Sequence, residues 1–189
     1  DYSGGISTDL LVHQTDISNF VVGGLIKTEL PTSCMASGGV YQWGGNDDRE
    51  VPDTLGALYE YPNKFHLNYS CFFGNDQWGY GEEFMGQKGT IEVKDRQNLY
   101  FTPQPKFIRN TKFSEKAPVT MNYLKDFNQP DSTADHVRNF LDAVLGKGKA
   151  IAPARAGQIA AIPGHMATQS YKAKKAVFWD AKTSKLKIG

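Results

Sequence analysis

The chain has 189 residues, a net charge of +1, and 40% hydrophobic, 12% aromatic and 22% charged residues. That length holds one large domain or two small ones, the apolar share can fill a core, and the composition excludes wholesale disorder. The near-neutral charge argues against a nucleic-acid binder, which carries a basic stripe, and no apolar run reaches the roughly 18 residues that a membrane span needs.

The first element is carried by GGISTDLLVHQTDIS, Gly4 to Ser18. The spacing predicts a helix from about Ser7 to Val22, capped by Ser7 and stopped by Gly23-Gly24. At about 100° per residue, Ile6, Leu10, Ile17 and Val21 form one apolar stripe, and Asp9, His13, Asp16 and Phe20 fall within about 60° of one another beside it. One face therefore packs, and its neighbour offers an acid–imidazole–acid row. Asp9 stands four residues before His13, within reach of its imidazole, and a carboxylate so placed orients a histidine for acid/base chemistry. Taken alone, the pair is open to two other readings. It could ligate a metal, although no third ligand with matching spacing is visible, or Asp9 could complement the helix N-terminus beside a half-buried His13.

The middle of the chain is rich in strands. CMASGGVYQW (34–43), DTLGALYEYP (53–62) and KFHLNYSCFF (64–73) alternate or run apolar as strands do, and Pro62-Asn63 predicts a tight turn between the last two. GEEFMG (81–86), TIEVKD (89–94) and NLYFTP (98–103) follow as short strands over glycine and asparagine turns. Strands that follow one another so closely form an antiparallel meander, because a parallel crossover needs a dozen residues or more. Strands 53–62 and 64–73 carry apolar residues at both parities, with Leu58 and Phe72 opposite the Leu55–Tyr61 and Phe65–Tyr69 sets. A sheet covered on one face only should be polar on the other, so this open face is expected to meet a second copy of the chain. Residues 103–131 hold prolines and no clear period, and read as a long irregular excursion.

Helices return at the end. STADHVRNFLDAVLG opens with Ser132/Thr133 as cap, repeats Val137, Phe140, Leu141 and Val144 at helical spacing, and closes at Gly146. A further helix follows Pro153 to about Lys172, with a kink or break expected at Pro163-Gly164. AVFWD and KLKI read as a final hairpin, and the lysines between Lys172 and Lys187 as a solvated strand edge. Helix, then sheet, then helices, without βαβ alternation, is α+β.

Few motifs carry chemistry of their own. Cys34 and Cys71 lie in strands and read as buried free thiols, with a single disulfide the alternative, and no spacing suggests a zinc site. His66, His136 and His165 read as structural. GYGEEFMG (Gly79 to Gly86) has the wrong spacing for a phosphate loop and places Glu82 and Glu83 where a pyrophosphate would be repelled. No Rossmann-type dinucleotide site is therefore expected in this chain.

Several stretches, taken in order, resemble one family. SGGISTDLLVHQTDISNFVVGG, DDREVPDTLGALYEYPN, GYGEEFMGQKGTIEV, HVRNFLDAVLGKGKA and FWDAKTSKL resemble the C-terminal domain of the Gfo/Idh/MocA oxidoreductases, the glucose-fructose oxidoreductase and inositol dehydrogenase family. The resemblance covers nearly the whole chain. It implies a single C-terminal domain over residues 1–189, built on an open, mostly antiparallel sheet with helices on one face, and cut from a longer two-domain enzyme. The partner domain would be the protein's own N-terminal Rossmann domain, which holds NAD or NADP and a Glu-Lys-Pro motif with a catalytic lysine. The present chain alone is then expected to bind no cofactor.

The family's Asp-x3-His motif falls on Asp9 and His13. The resemblance makes His13 the proton acceptor from a substrate hydroxyl, with Asp9 positioning it or the sugar. Tyr80 matches an aromatic position assigned to polyol contact, with a core-edge tyrosine as the alternative. Asp16 matches a second acid, placed at the substrate or in a structural hydrogen bond. The implied substrate is a small sugar, sugar derivative or cyclitol, and the implied assembly a homo-oligomer through the sheet face. Two other readings stay open: an NAD-dependent glycoside hydrolase of the same family, and a non-catalytic ligand-binding or dimerisation module. The chain departs from the family pattern at Phe20, where many members have tryptophan, and at Pro163-Gly164 in a helix usually uninterrupted.

Overall fold

The computed structural model describes residues 4–23, 29–45, 48–77, 79–95, 97–108, 119–126 and 132–189. In chain order the elements are α1 (Ile6–Asp9), α2 (Leu11–Gly23), β1 (Ser33–Gly39), β2 (Thr54–Glu60), β3 (His66–Phe72), β4 (Gly81–Met85), β5 (Gly89–Lys94), β6 (Asn98–Pro103), α3 (Pro105–Ile108), β7 (Val119–Asn122), α4 (Tyr123–Asp126), α5 (Thr133–Val144), α6 (Ala154–Ala173), β8 (Val177–Asp180) and β9 (Lys185–Ile188). They fall into two compact units, Asp1–Asp76 with Ala152–Gly189, and Gln77–Ile151. The fold class is α+β as expected, with the strands divided between two sheets and every pairing antiparallel among the described residues.

The sheet of the first unit runs β3-β2-β1-β8-β9. Side chains on a strand alternate between faces, which sends Cys34 and Ala36, Leu55, Ala57 and Tyr59, and Leu67 and Tyr69 to one buried side. Ile6, Leu11, Met166, Ala167 and Val177 complete this core. Polar bonds fasten the helices to it. The Tyr59 hydroxyl donates to the Pro163 carbonyl at 2.8 Å, and the Thr15 hydroxyl reaches the Ala160 carbonyl at 2.7 Å. The Ser170 hydroxyl accepts from the Ala36 N–H at 2.9 Å and donates to the Lys175 carbonyl at 2.6 Å. Topology explains the bond from the Ala36 N–H. β8 pairs with only Ser33 and Cys34 of β1, so beyond them the strand's outer N–H groups need another acceptor, and a helix serine supplies it. At the far edge β9 exposes Lys185 and Lys187, as the edge reading expects, and Lys187 pairs with Asp180 at 2.6 Å.

Several local expectations are corrected. The opening helix is two segments separated by Leu10. Ser7 does not cap it. Gly5 holds the N-cap position, and Ser7 lies inside α1, donating to the Gly4 carbonyl and sharing a 2.7 Å hydrogen bond with the Thr168 hydroxyl. The buried stripe is Ile6, Ser7, Leu11, Thr15 and Ser18, while Leu10, Ile17 and Val21 are only half-buried. Ser7 and Thr15 win such places because α6 approaches closely and partners their hydroxyls through Thr168 and Ala160. The break expected at Pro163-Gly164 is absent, and α6 runs unbroken through both residues. A mid-helix proline costs about 3 kcal/mol, but Pro163 is buried with its carbonyl bound by Tyr59, and Gly164 brings α6 against the Ser7 backbone. These contacts hold the helix together across the missing donor.

In the second unit β4, β5, β6 and β7 form a sheet in that order. The span 103–131 is more regular than expected: it carries α3, β7 and α4, and β7 pairs with β6 from Asn98↔Asn122 to Phe101↔Val119. Residues 109–118 and 127–131 of that span lie outside the described residues. α5 begins after Ser132, whose side chain makes no capping bond, and ends at Val144, with Gly146 two residues beyond at φ 71°.

Candidate functional site

The acid–imidazole–acid row lies on the first unit. Asp9 closes α1, His13 and Asp16 sit on α2, and all three are exposed, as is Phe20 at 82%. Behind the row Leu11 and Thr15 are fully buried against α6, so the helix that presents it cannot roll. The local path is not a regular helix. The His13 N–H bonds the Leu10 carbonyl at 3.0 Å, three residues back, because the chain turns between the two helical segments. The carboxylate–imidazole contact that unbroken helical spacing predicts is therefore not formed. Among the described residues, Asp9, His13 and Asp16 make no side-chain hydrogen bond or ion pair. The row is an imidazole and two carboxylates turned to solvent, a set suited to a ligand rich in hydroxyl groups.

Tyr80 belongs to the other unit. It is half-buried just ahead of β4, and its carbonyl accepts from the Asp95 N–H at 3.2 Å. Among the remaining histidines, His66 is exposed on β3 with its imidazole 3.9 Å from the Glu60 carboxylate, and His136 and His165 are exposed on α5 and α6. Both cysteines are free thiols, and burial pushes Cys34 up to about 12, which suppresses the reactive thiolate.

One shaping residue escaped the sequence reading. The Asp53 carboxylate is fully buried at the head of β2 and accepts from the N–H groups of Tyr41, Gln42 and Trp43 at 3.0, 2.9 and 3.2 Å and from the Thr54 hydroxyl at 3.0 Å. Burial pushes its carboxyl up, but these donors outweigh burial and hold it down to about 2. They fix the loop that carries Trp43, whose ring lies 6.4 Å from Phe73 and 5.0 Å from the Arg49 guanidinium. An acid just ahead of a strand, after Pro52, was the available signal.

Among the described residues no group of three His, Cys, Asp or Glu converges as a metal site would require, and no helix is long and apolar enough to cross a membrane. A dinucleotide cradle needs a parallel βαβ unit with a glycine turn at the helix N-terminus. The described strands pair antiparallel throughout, so the described residues hold no Rossmann-type cradle for a nicotinamide dinucleotide.

Antiparallel sheets with helices on one face of the first, and an acid–histidine row on the opening helices, define an α+β domain without a nucleotide-binding half of its own among the described residues. Residues 1–178 match the oxidoreductase family, C-terminal alpha/beta domain, and the chain belongs to that family. No curated protein matches it. Among solved structures, a UDP-N-acetylglucosamine 3-dehydrogenase from Acidithiobacillus ferrooxidans is similar with a TM-score of 0.65 at 14% identity, over 89% of this chain and 47% of that one. An oxidoreductase from Agrobacterium radiobacter, solved with NAD+, L-tartaric acid and magnesium, has a TM-score of 0.60 at 14% identity, over 90% of this chain and 48% of its own. An NAD-binding protein from Listeria innocua has a TM-score of 0.63 at 16% identity, over 92% and 51%. At such identities the likeness concerns the fold, and the chain spans about half the length of these proteins.

Proposed function

We propose that this chain is the C-terminal, substrate-handling domain of a nicotinamide-dependent oxidoreductase acting on a sugar, sugar derivative or cyclitol. The observation that carries the reading is the exposed row of Asp9, His13 and Asp16 on the opening helices of a domain of this family. The sugar-nucleotide dehydrogenase and the NAD+-bound oxidoreductase among similar structures support the substrate class and the cofactor. His13 accepts the proton of a substrate carbinol hydroxyl. Asp9 positions the imidazole or a neighbouring hydroxyl, and Asp16 binds a further hydroxyl. The redox chemistry belongs to NAD or NADP. The described residues offer it no cradle, so its binding falls to an N-terminal Rossmann domain outside this chain. The open face of the five-stranded sheet joins two copies.

Steady-state kinetics of the full-length enzyme test this reading. A positioned base contributes roughly 10²–10⁴-fold to rate, so His13→Ala should lower kcat by about that factor and leave the thermal melt unchanged, since the residue is exposed. Unchanged kcat would overturn the assignment of His13.

A further inference from the structure

On α5 the residues Val137, Phe140, Leu141 and Val144 follow i, i+3, i+4, i+7 and share one face, yet each is between 51% and 67% exposed. No residue of α5 is buried. Its rotation is nonetheless set. Asn139, roughly opposite that face, donates through its amide to the Lys149 carbonyl at 3.0 Å and accepts from the Ile151 N–H at 2.9 Å. The helix is thus held by its polar side, with its apolar side turned away from the segment that holds it. A contiguous apolar stripe of this kind marks a contact surface.

We infer that this face of α5 is the docking surface for the N-terminal half of the same protein. The inference rests on the two-domain reading above. Two arguments select that occupant. Similar structures are about twice the length of this chain, which covers 47% and 48% of two of them, so a second domain of comparable size must pack somewhere. Size supplies the other argument. A helix of 12 residues is about 18 Å long, and one face of it offers a few hundred Å² at most, well short of the roughly 800 Å² per partner of a stable complex between separate molecules. A covalently tethered domain needs less, because the tether holds it at an effective concentration of order millimolar.

The test uses the full-length protein with p-benzoylphenylalanine in place of Phe140, irradiated and mapped by peptide mass spectrometry. The expected result is a cross-link within one chain to a residue ahead of Asp1. The same probe in place of Asp135, on the polar side, should give none. A product of twice the chain mass would assign the face to a second copy, a link to a residue within 1–189 would assign it to this chain's own packing, and absence of any link would leave it to solvent. Each of these overturns the inference. Intact mass of the same sample separates the other failure: a protein with no residues ahead of Asp1 would overturn the two-domain reading, and the docking surface with it.

Discussion

Gly164 of α6 lies against the backbone of Ser7 in α1 so closely that a Cβ at residue 164 would run into the Ser7 carbonyl and crowd Thr8. Gly157, two turns earlier, has open space where a Cβ would stand. The two glycines therefore predict opposite outcomes. Gly164→Ala should destabilise by about 1–3 kcal/mol through overpacking, whereas Gly157→Ala should stabilise by roughly 0.5–1 kcal/mol through helix propensity. Urea midpoints of the two variants check this, and equal effects would mean that the α1–α6 contact is looser than described.

Asp53 contributes to the acid limb of stability. Its carboxyl titrates at about 2 in the folded chain, against about 3.9 for an unfolded aspartate. The folded state holds this proton more weakly, so the contribution is complete above roughly pH 4 and is lost as pH falls through the folded value. Asp53→Asn should lower the urea midpoint at neutral pH and flatten its fall between about pH 4 and pH 2. An unaltered acid slope would show that the carboxylate is not held by Tyr41, Gln42 and Trp43.

The open sheet face predicts self-association. Met35 and Leu58 are paired neighbours there, 53% and 45% exposed, and Phe178 lies on the same face, paired with Ser33 and 45% exposed. Leu58→Lys places a charge in the middle of that patch and should raise the dimer dissociation constant by about two orders of magnitude, as a buried unpaired charge costs several kcal/mol. The monomer's melt should hardly change, since the side chain already meets solvent. Light scattering over a concentration series decides it. A wild-type protein that stays monomeric throughout would remove this face from the assembly.

Asp9 should matter less than His13. The two side chains are not bonded to each other in the structure, because Leu10 interrupts the helix between them. Asp9→Asn in the full-length enzyme should lower kcat or raise KM by roughly 10-fold, through weaker positioning of a charged or hydroxyl-bearing partner. A loss as large as that of His13→Ala would mean that substrate binding brings the carboxylate onto the imidazole.

Residues 1–189 alone should show no saturable NADH binding, since among the described residues strands pair only antiparallel and no glycine turn leads from a strand into a helix N-terminus. Fluorescence titration checks this. Micromolar saturation would place a nucleotide site in this chain.

The sequence by itself determined the strands other than β7, and the pairing within the β2–β3 and β8–β9 hairpins. Side-chain alternation and turn chemistry act over a few residues, so Leu55–Ala57–Tyr59 and the Pro62-Asn63 turn speak for themselves. It also set Asp9, His13 and Asp16 apart from the apolar positions, and all three are exposed. Only the tertiary structure decided which face of the opening helices is buried. That choice depends on Ala160 and Thr168, far along the chain, whose oxygens let Thr15 and Ser7 enter the core in place of larger apolar residues. The same distance separates Pro163 from Tyr59 and Gly164 from Ser7. Local propensity breaks a helix at Pro-Gly, and contacts with β2 and α1, invisible in any short window, keep it whole. The fate of Asp53 follows the same rule: an acid ahead of a strand is a surface charge by local reasoning, and becomes a buried anchor once the chain folds three N–H groups onto it.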